Sequence, residues 1–201
     1  MYTKSTDLTA FVGSRICHDL ASPLGAISNG LELLELSGVA PSPELALLSD
    51  SIKAANARVE FFRIAFGTTT AGAQLGQATA QQVLAQYFAD KRVHPSWEIV
   101  GDTPRNIAKL LFLLIQCVET GLPYGGNISI GTTNDGWMIT GTGRTKTDST
   151  AWQAFLQGQS SEDIYSGDIQ FQLASLQATN LGFPLVIQVD DNRISAQVLR
   201  A

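Results

Sequence analysis

Apolar and small residues recur along the first third of the chain with a heptad rhythm. Gly13, Cys17, Leu20, Leu24, Ile27, Leu31 and Leu34 are separated by alternating steps of four and three. That spacing draws one seam along an α-helix and predicts a helix over 7–37. Pro23 lies inside it and removes one backbone donor, so a bend or loosened turn is expected there. The stretch SGVAPSPE then breaks the pattern with a glycine and two prolines. A second seam follows in Leu45, Leu48, Ile52, Ala55, Val59, Phe62 and Phe66, predicting a helix over 43–66. Arg58, Glu60 and Arg63 fall off its stripe, and Ser42 can cap its start. Two seamed helices joined by a short connection make an antiparallel hairpin. One hairpin cannot bury two long stripes, whereas pairing with a second copy into a four-helix bundle does. The expectation is therefore a homodimer with Leu45, Leu48, Ile52, Val59 and Phe62 in its core.

After the hairpin, GTTTAGAQLGQAT is rich in Gly, Thr and Ala and reads as a linker. The expected divisions are a hairpin over 1–68, a linker over 69–79 and a second domain over 80–201. In that domain the pattern predicts helices over 80–90, 104–119, 149–157 and 169–179, with Thr103 as a cap and Pro104 in the first turn of the second. A short strand is expected at SWEIV. NISIGTT and GWMITGTG form a hairpin turning at Asn134-Asp135-Gly136, and FPLVIQV and RISAQVL form another around 190–192. The fold class expected is α+β, a helical hairpin followed by an α/β two-layer sandwich with a mostly antiparallel sheet.

Composition narrows the function. Of 201 residues, 44% are hydrophobic and 15% charged, enough for a real core and too apolar for disorder. A formal net charge of -5 argues against nucleic acid, which requires basic surface. Two distant cysteines, Cys17 and Cys117, do not make a disulfide framework, so a reducing cytoplasm is expected. With only two histidines, a structural zinc site is not expected either. The N-terminal stretch has no apolar segment of signal-peptide type. No run reaches the ~18 apolar residues of a membrane span.

The chemistry sits on the first helix. With Leu20 and Ile27 at heptad position d, His18 falls at b, outside the seam. Its neighbours on that face are Ser14, Arg15, Ala21, Ser22, Gly25 and Asn29. None is a large apolar residue, so the imidazole should project from a small-residue patch that another protein's backbone can approach. Asp19 follows directly, and Ser22-Pro23 comes one turn later.

His18-Asp19-Leu20-Ala21-Ser22-Pro23-Leu24 resembles the H box of sensor histidine kinases, H-[DE]-x-x-[ST]-P-L, at every patterned position. In that family the hairpin dimerises and the histidine carries the phosphoryl group. The second half resembles the kinases' ATP-binding (GHKL) domain in layout, with the nucleotide residues missing. The helix before Pro123-Tyr124-Gly125-Gly126 reads KLLFLLIQCVET and has none of the Mg²⁺-binding asparagines of the N box. Ile139-Thr140-Gly141-Thr142-Gly143 places Ile where the G1 box has its adenine-binding Asp, and the glycine-rich lid is absent. An intact H box on a degenerate kinase domain is similar to the ChpT-type histidine phosphotransferases of alphaproteobacteria. Their CHDL-x-SP-x-GA-x-x-NG-x-E-L signature matches Cys17 to Leu33, and the resemblance extends over nearly the full length.

The resemblance implies a phosphorelay. His18 would shuttle a phosphoryl group between receiver-domain aspartates, from a hybrid histidine kinase to response regulators of CtrA type and similar. Receivers would dock over Ser14, Arg15, Ala21, Gly25 and Asn29, without nucleic acid or membrane. Asp19 would accept Nδ1–H and make Nε2 nucleophilic, or else be a solvated acid. Ser22 would bond nearby or back to the carbonyl of His18. Arg15 would assist or remain solvated. The chain itself would bind no cofactor, and the receiver would bring Mg²⁺. Cys17, at an a position, reads as packing, and His94, before Pro95, as structural. Two other readings compete: an ATP-dependent autokinase with unusual boxes, and a non-catalytic dimeric scaffold that docks receivers.

Overall fold

The computed structural model describes residues 3–158 and 166–200, and for residues 3–7 and Ser166 the backbone only. The chain divides into two compact units, Met1–Thr68 and Thr69–Ala201.

The first unit is an antiparallel hairpin of α1 (Thr3–Leu36) and α2 (Pro43–Ala65). The helix α1 continues through Pro23. Proline leaves the carbonyl of Asp19 without its usual donor, and one lost bond does not end a helix of 34 residues. Ser42 caps α2, its hydroxyl accepting from the amide of Leu45 at 3.3 Å, with Pro43 in the first turn. Across the hairpin the Asn56 amide donates to the Ser28 hydroxyl at 3.0 Å.

The seam of α1 splits in two. Cys17 is buried and Gly13, Leu24 and Leu31 half-buried, whereas Leu20, Ile27 and Leu34 are exposed. A heptad stripe on a straight helix spans an arc wider than one neighbouring helix covers. Its inner edge packs on α2 and its outer edge does not. Of the residues expected in a dimer core, Val59 is already buried within the chain, Leu45, Ile52 and Phe62 are half-buried, and Leu48 is exposed.

The second unit orders as β1 (Gln74–Leu75), α3 (Gln77–Tyr87), β2 (Val93–Trp97), β3 (Thr103–Pro104), α4 (Arg105–Thr120), β4 (Gly126–Thr133) and β5 (Gly136–Thr142). Then come α5 (Thr150–Leu156), a 3₁₀ turn at Ser166–Asp168, α6 (Ile169–Leu181), β6 (Leu185–Asp190) and β7 (Arg193–Leu199). One sheet runs β2-β4-β5-β7-β6, antiparallel except for the β2–β4 pair. It is an α+β fold, with helices layered on a mostly antiparallel sheet.

Three local expectations differ from the structure. The segment read as a linker carries β1 and the start of α3. Leu75, its one large apolar residue, is buried, and β1 pairs with β3, so the segment belongs to the second unit. The strand expected at 96–100 lies at Val93–Trp97 and includes Pro95. Proline is tolerated because β2 is an edge. The amide of Glu98 donates to Ile130 on β4, so by alternation Pro95 faces the open side, where no donor is needed. Thr103 does not cap α4. It is held in β3 opposite Leu75, its buried hydroxyl has no partner among the described residues, and Pro104 occupies the cap position.

Core formation centres on α4, in which Ile107 through Ile115 are all buried. Such a helix has no solvent face. Ile128, Ile130, Ile139, Ile194 and Val198 of the sheet are fully buried, each contributing about 1.5–3 kcal/mol of apolar transfer. Gly141 on β5 lies against Val118 and Leu122, so a methyl group there should overpack the core by about 1–3 kcal/mol.

Candidate functional site

Placing His18 on the free face of α1 follows from helix geometry alone. It lies about a quarter turn from the side packed on α2 and nearly half a turn from the exposed apolar stripe. Its side chain is 81% exposed. Of the neighbours read from the sequence, Arg15, Ser22 and Asn29 are exposed, while Ser14, Ala21 and Gly25 are half-buried on the flank toward α2. A Cβ built on Gly25 meets nothing within 4 Å, so the face is open there.

Nδ1 of His18 lies 3.2 Å from Oδ1 of Asp19. A carboxylate only accepts, so a hydrogen bond here places the imidazole proton on Nδ1 and leaves the Nε2 lone pair free toward solvent. The other oxygen of Asp19, Oδ2, accepts from Nε of Arg15 at 2.8 Å. The hydrogen bond with His18, followed by the Arg15 contact, holds the Asp19 carboxyl below its ordinary range. With the folded value depressed, whatever this pairing adds to stability is complete above the ordinary value and fades as pH falls through the lowered one. The Ser22 hydroxyl makes no hydrogen bond among the described residues, so neither of its two expected bonds forms in this state.

The sequence singled out His18, Asp19 and Arg15 separately. It did not show that they form one line from guanidinium to carboxylate to imidazole, although the i, i+4 spacing of Arg15 and Asp19 permits it. Cys17, next to His18 in sequence, points the other way: it is buried, and burial pushes its thiol pKa up. His94 is exposed on β2.

In the second unit, the helix and the strand compared with the nucleotide-binding boxes run through the core. Leu113 and Cys117 on α4 and Ile139 on β5 are fully buried. Ile139 lies between Ile130 and Ala196 of the adjacent strands. Beside the end of α4, Trp152, Phe155 and Phe171 pack edge to face, and the Trp152 indole donates to the Thr120 hydroxyl at 3.1 Å. The sequence reading missed this aromatic cluster, because its members come from α5 and α6. It also missed Lys109, a buried charge on α4. Among the described residues no three His, Cys, Asp or Glu side chains group as a metal site, and no helix is long and apolar enough to cross a membrane.

Residues 77–193 match the family model of the histidine phosphotransferase C-terminal domain. The protein phosphotransferase ChpT of Brucella abortus (strain 2308) is 42% identical over 126 residues, 62% of this chain and 60% of that protein. The match thus spans about three-fifths of the curated relative's length. A bacterial phosphotransferase whose structure is known at 1.7 Å superposes with a TM-score of 0.67 and 32% identity, covering 95% of this chain and 96% of the other.

Proposed function

This chain belongs to the histidine phosphotransferase family, and from that membership we propose that it relays a phosphoryl group through Nε2 of His18. The group comes from a receiver-domain aspartate of a hybrid histidine kinase and passes to receivers of response regulators, CtrA-type regulators among them. The observation that carries the reading is the exposed imidazole whose Nδ1 faces Asp19.

In the forward step the Nε2 lone pair attacks phosphorus in line. The N–P bond forms, the P–O bond of the acyl phosphate breaks, and its electron pair leaves as the receiver's carboxylate. The proton on Nδ1 stays in place, facing Asp19, which offsets the positive charge developing on the ring. Transfer to the second receiver is the same displacement reversed. Charge on the moving group is neutralised by Mg²⁺ and a lysine of the receiver. Small residues around His18 let the receiver approach: Gly25→Trp should cut transfer at least tenfold while the melting temperature stays within a few degrees. A normal rate in that variant would move the docking face elsewhere.

The chain acts as a homodimer in the cytoplasm, without nucleic acid or membrane. The exposed apolar edge of α1, from Val12 and Ile16 through Leu20 and Ile27 to Leu34, supports pairing, since soluble monomers rarely leave such a stripe in water. The second unit serves as a docking surface in place of a nucleotide site. The complete burial of Ile139 and Cys117 supports this, because neither side chain reaches a ligand. A chain ending at Gly67 should then accept phosphate more slowly and discriminate receivers less than the full chain. Equal rates and equal selectivity would remove the second unit from the docking surface.

The direct test of the function is transfer of labelled phosphate from a panel of phosphorylated receivers to the full chain. The autokinase reading requires calorimetric binding of an ATP analogue, and the scaffold reading requires docking without transfer.

A further inference from the structure

We propose that Arg15 is a positioning residue for phosphoryl transfer, holding the Asp19 carboxylate so that the His18 proton stays on Nδ1 and the Nε2 lone pair stays free. The inference rests on His18 being the phosphoryl carrier, and concerns how that imidazole is kept in its reactive tautomer.

The two oxygens of Asp19 are divided between two partners. Oδ2 takes the Nε–H of Arg15 at 2.8 Å, within the range of a charge-assisted bond. Oδ1 faces Nδ1 of His18 at 3.2 Å, the longer and weaker contact. The Asp19 side chain is 50% exposed, and a carboxylate turns easily about its terminal torsion. Without the guanidinium, nothing else among the described residues fixes its plane. Water then competes at both oxygens, and Oδ1 leaves Nδ1 for part of the time. The tautomer matters because a neutral imidazole donates from one nitrogen and accepts at the other. An imidazole protonated on Nε2 has no lone pair to attack with at that atom.

Arg15 uses only Nε in this pair, and its side chain is 76% exposed. An arginine placed before an aspartate at i, i+4 is the less favourable order for helix stability, so the pair does little for the fold. Its effect on rate should match the worth of an exposed ion pair, about two- to fivefold. Loss of Asp19 itself should cost about a hundredfold or more, the contribution of a positioned acid–base partner.

The test uses the full ¹⁵N-labelled protein without any receiver. Ring nitrogen shifts of His18 report the tautomer ratio at mildly alkaline pH, and a His94→Gln variant assigns the signals. Wild type should favour Nδ1–H. Arg15→Met should shift the ratio toward Nε2–H and slow single-turnover transfer about two- to fivefold, and Arg15→Lys should restore part of both. If Arg15→Met leaves the tautomer ratio at the wild-type value, the proposal is wrong. Slower transfer with that unchanged ratio would mean that Arg15 meets the receiver directly. Failure of the wild-type chain to take phosphate at all would remove the relay reading and leave the tautomer result standing.

Discussion

Replacing His18 with alanine is expected to abolish phosphate acceptance from every receiver that labels the wild-type chain. Among the described residues the other imidazole, His94, is exposed on β2 but has no carboxylate partner of the kind Asp19 gives His18. Cys17 is buried with its thiol pKa raised, and a neutral thiol in apolar surroundings is a poor nucleophile. Folding should hardly change, because the side chain is 81% exposed and its one polar contact, with Asp19, is itself at the surface, so its contribution is on the order of 0.5 kcal/mol. The measurement pairs a transfer assay with thermal melting. Retained signalling output from the alanine variant would favour a scaffold that only docks receivers.

Ile27→Asp should have the largest effect on assembly. Ile27 is 51% exposed in the single chain. If the chain worked alone, a charge there would cost no more than about 0.5 kcal/mol. In a four-helix bundle the same side chain lies in the inter-chain seam, and an unpaired buried charge costs about 3–5 kcal/mol. Ultracentrifugation at micromolar concentration should therefore find the wild type as a dimer and the variant as a monomer or unfolded. A wild-type sample sedimenting only as a single 21.5 kDa chain would refute the dimer.

The hairpin and most of the second unit were legible because their signals are local. Alternating three and four steps, Ser42 before Pro43, and turns at 134–136 and around 190–192 each act within a few residues. The errors fall where distant partners decide. Leu75 turns an apparent linker into a strand by pairing with Thr103. That same pairing keeps Thr103 from capping α4, and Pro95 joins a strand only because β2 is an edge. The division of the α1 seam into an inner row at Cys17 and Leu24 and an outer row at Leu20 and Ile27 is likewise tertiary. At the candidate site, spacing placed His18 and Asp19 side by side on a face cleared of bulk. The choice of Asp19 oxygens, Oδ1 for His18 and Oδ2 for Arg15, depends on rotamers, on which residue spacing is silent. In the second unit the compared nucleotide positions pointed to a changed role, and their depth in the core follows from α4 being buried without a break from Ile107 to Ile115.

The central claim is that phosphate enters at His18 from a receiver aspartate rather than from ATP. ³¹P NMR of the full chain, mixed in one tube with a phosphorylated receiver and in another with Mg·ATP alone, tests it most directly. The account predicts a phosphoramidate signal on nitrogen in the first tube, absent from the His18→Ala variant, and no protein-bound phosphate in the second. A phosphoramidate formed with Mg·ATP alone, or none formed with the phosphorylated receiver, would contradict it.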